Sequence, residues 1–422
     1  MSEVRNNIDY PVTKKEDAMG RKNILISMGI GVLFVFLILF SSISSYSTEV
    51  RGVTGDTINI GLIADMTGPV TAVTVPMANG VKNYFRYINE QGGINGRKIR
   101  VFHEDDRYSV PNTFAAFKKL VYKDRILAAI LITQTAGIAA LMPHYQKEKL
   151  PIISVSTARV MTEPVKRYIF TVKDTYENGA KVGVDYIMKD LNAKNPVLGI
   201  VRLDNDSGKM GANGAKEAAK HYGVKYHEEA IPAGAIDSTS QVLNMKRAEA
   251  DYVVMPGSDG TAITFLRDAR KLGYKPKIFI GTLFSNSEFI VKTAGKGAEN
   301  FICENPFASW GDKSPGMEKM MKITMQITKK YEVGEKQTVD YTLGWVKGMV
   351  FAEGMKRAGK NLNSESLIDG MESIKDFDTG GLTGLITYGP DDHKGGGFTR
   401  FLKADVSMGT LIPITGWRKP SF

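Results

Sequence analysis

From residue 57 onward the chain alternates short apolar runs with amphipathic stretches, and few topologies satisfy that pattern. Apolar runs of four to six residues stand at Ile58–Ile63, Lys98–His103, Leu127–Ile132, Pro151–Ser154, Val197–Arg202, Tyr252–Met255 and Lys277–Ile280. Their length and continuity predict strands buried on both faces. Helical patterns lie between them. In Thr113–Lys123 the residues Phe114, Phe117, Leu120 and Val121 share one face, with Asn112 as a cap. Ala136–Lys149, Asn178–Leu191, Gly211–Tyr222, Ser238–Ala248 and Gly260–Leu272 read the same way. The first unit shows the scheme: strand, polar turn (Asp65–Pro69), helix (about Met77–Glu90), stop at Gly92-Gly93. Such alternation predicts an α/β protein with parallel sheets covered by helices on both sides. Ligands of such sheets bind beyond the carboxyl ends of the strands.

With 422 residues the chain exceeds one core of ordinary size, so two domains are expected. Two alternating blocks separate at about 57–171 and 174–302. A mainly helical region follows (Pro315–Tyr331, Asp340–Ala358, Ser364–Ile374). The Gly-rich tail (Gly384–Tyr388, Gly395–Ala404) is β-like and is expected to complete sheets begun earlier.

The uncharged run Ile24–Phe40 predicts one N-terminal hydrophobic helix. Lys14, Lys15, Arg21 and Lys22 precede it, which orients residues 1–22 inward and exports the remainder. Residues 23–45 read as a signal peptide, with Ser42-Ile43-Ser44 a passable cleavage site, or as an anchor in the inner membrane. A lipoprotein is disfavoured, because no Cys follows the run. Cys303 is the only cysteine, so no intramolecular disulfide forms.

The net charge of +10 is spread among acids rather than clustered as a nucleic-acid stripe would be. Catalytic signatures are weak. The five histidines lack metal-ligand spacing, and Pro256–Gly260 lacks the Gly-x-Ser-x-Gly elbow. The glycines of Gly208–Gly214 match neither phosphate-loop pattern. Asp105-Asp106 reads as a turn cap rather than a metal site. No cofactor and no metal site are expected.

The strand-end loops are more coherent. Four carry hydroxyls and open helices: Thr133–Gly137, Ser154–Ala158, Leu203–Gly208 and Pro256–Gly260. Helix N-termini and hydroxyls attract carboxylates and other polar head groups. Ser and Thr would cap these helices without any ligand. Four such loops on one edge of two sheets point to a ligand cleft between lobes.

The chain from Asp56 to Trp417 resembles the branched-chain amino-acid (Leu/Ile/Val-type) substrate-binding proteins of ABC transporters. The segments carrying the likeness are IGLIADMTGP (60–69), NGVKNYFRYINEQGGINGRKI (79–99), EDDRYSVPNTFAAFKKLV (104–121), FLRDARKLGY (265–274) and YTLGWVKGMVFAEGMKRAG (341–359). The resemblance implies the type 1 periplasmic-binding-protein fold: two Rossmann-like lobes joined by three crossovers, near Thr171–Lys173, Glu304–Pro306 and Gly389–Asp392. Lobe 1 would be 57–172 plus 306–390, and lobe 2 would be 173–305 plus 391–422. It further implies that Thr135, Ala136, Ser156 and Thr157 hold a ligand carboxylate. Loops with Asp206, Ser207, Ser258, Asp259, Leu283 and Phe284 would close over it. Thr67, Tyr108 and Tyr176 join the candidate surface.

The second lobe departs from the family pattern. The carboxylate that holds an amino acid's ammonium is replaced by Leu283, and two expected aromatics by Ser207 and Ser258. An enclosed ammonium without an anion is costly. Asp206 or Asp259 would have to substitute; otherwise an organic acid, an aromatic acid or an amide suits the site better than a branched-chain amino acid. The resulting expectation is a non-enzymatic, extracytoplasmic receptor that hands its ligand to an ABC permease. A membrane-anchored sensor on the same scaffold is the alternative, and an exported enzyme the third.

Overall fold

A computed structural model describes residues 50–331, 337–419 and Ser421. The hydrophobic run Ile24–Phe40 lies outside the described residues. Among those described, no helix is long and apolar enough to cross a membrane.

Residues from Val50 onward form one compact unit containing two sheets of like design. The first is built from β1 (Thr57–Ala64), β2 (Lys98–Asp105), β3 (Ala128–Ile132), β4 (Ile152–Ser154) and β5 (Ile169–Phe170), ordered β2-β1-β3-β4-β5. All its pairings are parallel. The second holds β6 (Val197–Leu203), β7 (Lys225–Ile231), β8 (Tyr252–Ser258), β9 (Ile278–Phe284) and β10 (Phe301–Asn305) in the corresponding order, β7-β6-β8-β9-β10. A hairpin, β11 (Thr387–Gly389) and β12 (Asp392–Gly395), leans on β5: the Thr171 amide donates to the His393 carbonyl at 2.9 Å. The chain then returns to the second sheet, where β13 (Arg400–Asp405) and β14 (Thr410–Pro413) extend it antiparallel from β10. The tail therefore completes an earlier sheet.

The seven predicted strands all appear, and those of the second sheet run one to four residues further. Strand β7 escaped prediction because its sequence, KYHEEAI, is charged and only Ile231 is buried. An edge strand needs little apolar surface, and charge protects it from pairing with other chains.

Three helix expectations need correction. The first helix spans Thr71–Glu90, not Met77–Glu90, and carries Pro76 as its sixth residue. The hydrogen bond Pro76 cannot donate would have reached the first turn, where the loss disrupts little. The next helix begins at Val110 with Ser109 at its cap, so Asn112 lies inside it; Pro111 fits the first turn. Ala136–Lys149 divides into Thr135–Ala140 and Met142–Lys147, with Pro143 opening the second.

The helical third region packs on the first sheet's side. The helix Val339–Ala358 lies against Thr71–Glu90 almost backbone to backbone. A Cβ at Gly344 would stand 1.9 Å from the Met77 carbonyl oxygen, and one at Gly80 would stand 2.2 Å from that of Tyr341. Only glycine permits this approach.

Candidate functional site

In both sheets the strand order reverses beside the first strand, between β1 and β3 and between β6 and β8. Crevices at such reversals are where open α/β sheets bind ligands. The two crevices face each other and share a cavity of about 100 Å³, room for roughly three waters at liquid density.

The first sheet supplies Val70, Val73, Thr74 and Met77 from the first helix, Tyr108 beyond β2, Ile132, Thr133 and Thr135 beyond β3, and Val155 beyond β4. Tyr176, from the helix Tyr176–Asp185, lies between the sheets. The second sheet supplies Leu203, Asn205, Ser207, Gly257, Ser258 and Phe284. Every polar lining group is a hydroxyl, an amide or backbone; no lining side chain is charged.

Of the twelve candidates from the sequence, five line this cavity: Tyr108, Thr135, Ser207, Ser258 and Phe284. Ser156 stands directly behind, its hydroxyl 3.0 Å from that of Thr135, and both hydroxyls approach the Tyr176 phenol. Ala136 follows Thr135 in the short helix. Thr157 and Leu283 are buried and line a smaller cavity of about 30 Å³ at the passages between the sheets. Asp206 is exposed in the first turn of its helix. Asp259 faces another cavity, of about 330 Å³, together with Asp340 and Ser287, and accepts a hydrogen bond from the Ser287 hydroxyl. Thr67 is exposed and donates to Asp105 at 2.6 Å.

Several lining residues were absent from the sequence reading. Val73 and Thr74 were missed because the helix was expected to start at about Met77, whereas it starts at Thr71. Asn205 and Gly257 lay inside loops already singled out. Asn205 caps its helix, accepting from the Gly208 amide and the Ser207 hydroxyl, each at 2.9 Å.

Unusual backbone presents the aromatic rings. Arg107 (φ 51°) and Tyr108 (φ 55°) are consecutive left-handed residues. The turn is held by Asp105, which accepts from the Met66 amide at 2.9 Å and the Arg107 amide at 3.0 Å. Buried Asp106 accepts from the Tyr108 amide at 3.1 Å, the Thr113 hydroxyl at 2.7 Å and the Thr133 hydroxyl. The acidic pair therefore caps a turn. Opposite, Leu283 is left-handed (φ 65°), rare for a bulky residue, and the turn it makes directs Phe284 to the cavity. Burial pushes the Tyr108 phenol up to about 12 and raises that of Tyr176, so both stay protonated and able to donate.

Charge collects behind the walls. The Lys173 ammonium lies 4.4 Å from the Phe284 ring centre, and burial lowers its pKa against the pull of Glu304 and Asp340. Burial lifts Glu304 to about 7, with Lys173 opposing. Burial, reinforced by Asp259, lifts Asp340 to about 8. Among the described residues no cluster of acids, histidines and cysteine is arranged to hold a metal ion.

Residues 57–408 match the family described as periplasmic binding protein. The chain belongs to the periplasmic binding protein family. Leu/Ile/Val-binding protein homolog 8 of Brucella abortus is 24% identical over 243 residues, 53% of this chain and 57% of that protein. The match thus spans just over half of that relative. Among solved structures, a fatty acid ABC transporter substrate-binding protein from Thermomonospora curvata superposes with a TM-score of 0.79 at 21% identity, covering 89% of this chain and 96% of the other. A branched chain amino acid ABC transporter protein from Thermus thermophilus with bound valine gives 0.79 at 22% identity, covering 87% and 98%. At such identities these structures speak for the fold. This periplasmic binding protein has the two-lobed α/β architecture that the resemblance implied, and its family acts outside the cytoplasm, binding solutes rather than transforming them.

Proposed function

We propose that this periplasmic binding protein is the solute receptor of an ABC importer and captures a small carboxylate whose body is apolar and which carries no ammonium. The observation that carries the reading is the cavity shared by both sheets, with hydroxyls from each sheet, aromatic and aliphatic walls, and no charged lining side chain. Hydroxyls and protonated phenols donate to a carboxylate. Nothing on the walls offers an anion to an ammonium, and desolvating that group without one is expensive. The volume of about 100 Å³ favours a short-chain acid. Ser156 and Thr157 complete the first-lobe receptor from behind Thr135. Ligand would favour the closed pair of lobes, with rotation at the three passages between sheets, and a permease would read that closed state.

The test is a thermal-shift screen of the chain from Val50 onward, refolded to remove carried-over ligand. The panel holds amino acids, their deaminated acids and the matching amides. A ligand at 100 times its dissociation constant adds about 2.7 kcal/mol. Shifts with acids and not with amino acids are expected. A response to leucine or valine alone would refute the ammonium-free ligand.

A further inference from the structure

The helix Val339–Ala358 buries a lysine that its packing does not require. Lys347 is 1% exposed. Its Nζ donates to the Ser154 carbonyl oxygen at 2.7 Å, and among the described residues no carboxylate forms an ion pair with it. A lysine usually extends its ammonium to water, and one buried without an anion is costly. Burial pushes its pKa well below the ordinary value, and nearby Lys173 adds to that.

The lysine's position relates it to the cleft. Ser154 is the last residue of β4 and begins the loop that carries Val155, Ser156 and Thr157. The Ser154 hydroxyl donates to the Ser156 carbonyl at 2.8 Å. The Ser156 hydroxyl meets that of Thr135, which lines the cavity. The amine therefore supports the hydroxyl end of the binding site from below. Asp106 lies under the other part of the same wall, behind Thr133, and is satisfied by three donors. The first-lobe wall thus has an amine behind the Ser154–Ser156 loop and a carboxyl group behind Thr133. In a cavity whose lining is uncharged, that asymmetry is felt by the ligand's head group, because low-dielectric surroundings screen buried charge weakly.

We propose that Lys347 makes this receptor select a carboxylate over the corresponding uncharged amide, as a positioning residue that holds the Ser154–Thr157 loop and places positive charge beneath its hydroxyls. The inference rests on the carboxylate reading above. An anion bound over the loop favours the protonated amine, which recovers part of the burial cost. An amide of the same shape uses the same hydroxyls and gains nothing from the charge.

The experiment measures dissociation constants of 4-methylpentanoate and 4-methylpentanamide by calorimetry at pH 7. The proteins are the chain from Val50 onward and its Lys347→Met and Lys347→Gln variants. Wild type is expected to prefer the acid by about tenfold or more. Lys347→Met should bring the ratio to within about threefold and should melt no lower than wild type, since a buried unpaired charge is removed. Lys347→Gln can still donate to the Ser154 carbonyl, so loss of selectivity there assigns the effect to charge rather than loop position. Equal weakening of acid and amide in both variants would show a structural role only and overturn the inference. A wild-type ratio kept by either folded variant overturns it as well. If the wild type binds neither probe while the screen finds an amino-acid ligand, the carboxylate reading itself fails, a result distinct from an unchanged ratio.

Discussion

The two walls of the cleft are made differently. The first-lobe wall is a hydrogen-bonded network: Asp106 fixes Tyr108, Thr113 and Thr133, and the Thr135 and Ser156 hydroxyls meet behind the cavity. The second-lobe wall is mostly helix caps and one ring. Asn205 and Ser258 accept from the amides of their own first turns, and Phe284 follows a left-handed leucine. One wall is organised before a ligand arrives; the other is a set of local caps that ligand can recruit. A receptor that closes needs this division. On the proposed reading the network would define the head-group site, and the capped wall would move onto it.

Removing Asp106 should break the comparison most severely. Asp106→Ala strands the Thr133 hydroxyl and the Tyr108 amide, leaves Thr113 only the Ser109 carbonyl, and opens a cavity, at a cost of about 4 kcal/mol by denaturant unfolding. Ligand affinity should fall with it, because Tyr108 loses its anchor. The matching change on the other wall, Asn205→Ala, removes one cap and should cost about 1 kcal/mol. Equal costs would mean that the two walls are equally organised.

A second measurement separates the junction from both walls. Glu304 is buried where the chain passes back to the first sheet, and its carboxyl is raised from 4.5 to about 7. The folded state therefore holds this proton more tightly than the unfolded state. Its contribution to stability is complete below pH 4.5 and is lost as pH rises through 7, a fall of roughly 3 kcal/mol. Glu304→Gln should reduce that slope, leaving the part that Asp340 contributes with its own carboxyl raised to about 8, and should leave the Asp106 contrast intact. A slope unchanged in Glu304→Gln would assign the pH dependence to another group.

Much of this architecture was legible in the sequence because it follows from local rules. Seven runs such as Ile58–Ile63 gave strands, and the hydroxyl-bearing loops after β3, β4, β6 and β8 gave the edge where the cavity lies. The losses have physical causes. The strand Lys225–Ile231 is charged because an edge needs no apolar face. The first helix starts at Thr71, six residues before its expected start, and Val73 and Thr74 lie in that missed turn. The direction of Leu283 depends on a left-handed backbone that no side-chain pattern announces; the residue packs near Gly211, and its neighbour Phe284 reaches the cavity. Nothing in the sequence singles out Lys347, since lysine is seldom enclosed; its burial goes with the close approach of its helix at Gly80 and Gly344.

The finest contrast lies between single hydroxyls on the two walls. Thr135 stands at the end of β3 with its hydroxyl shared with Ser156, and both face the head-group end. Thr135→Val keeps the shape and removes the donor, so binding of a carboxylate should weaken by about 1–2 kcal/mol. Ser156→Ala should act in the same direction through Thr135. Ser207 already donates to Asn205 at 2.9 Å, so its hydroxyl is committed to the cap. Ser207→Ala should therefore change affinity by less than about 0.5 kcal/mol. Calorimetry on the three variants with one acid resolves these differences. The first-lobe wall keeps its role as the head-group receptor only if Thr135→Val weakens binding more than Ser207→Ala. The reverse order would move the carboxylate to the second lobe and make the preorganised network a scaffold rather than a receptor.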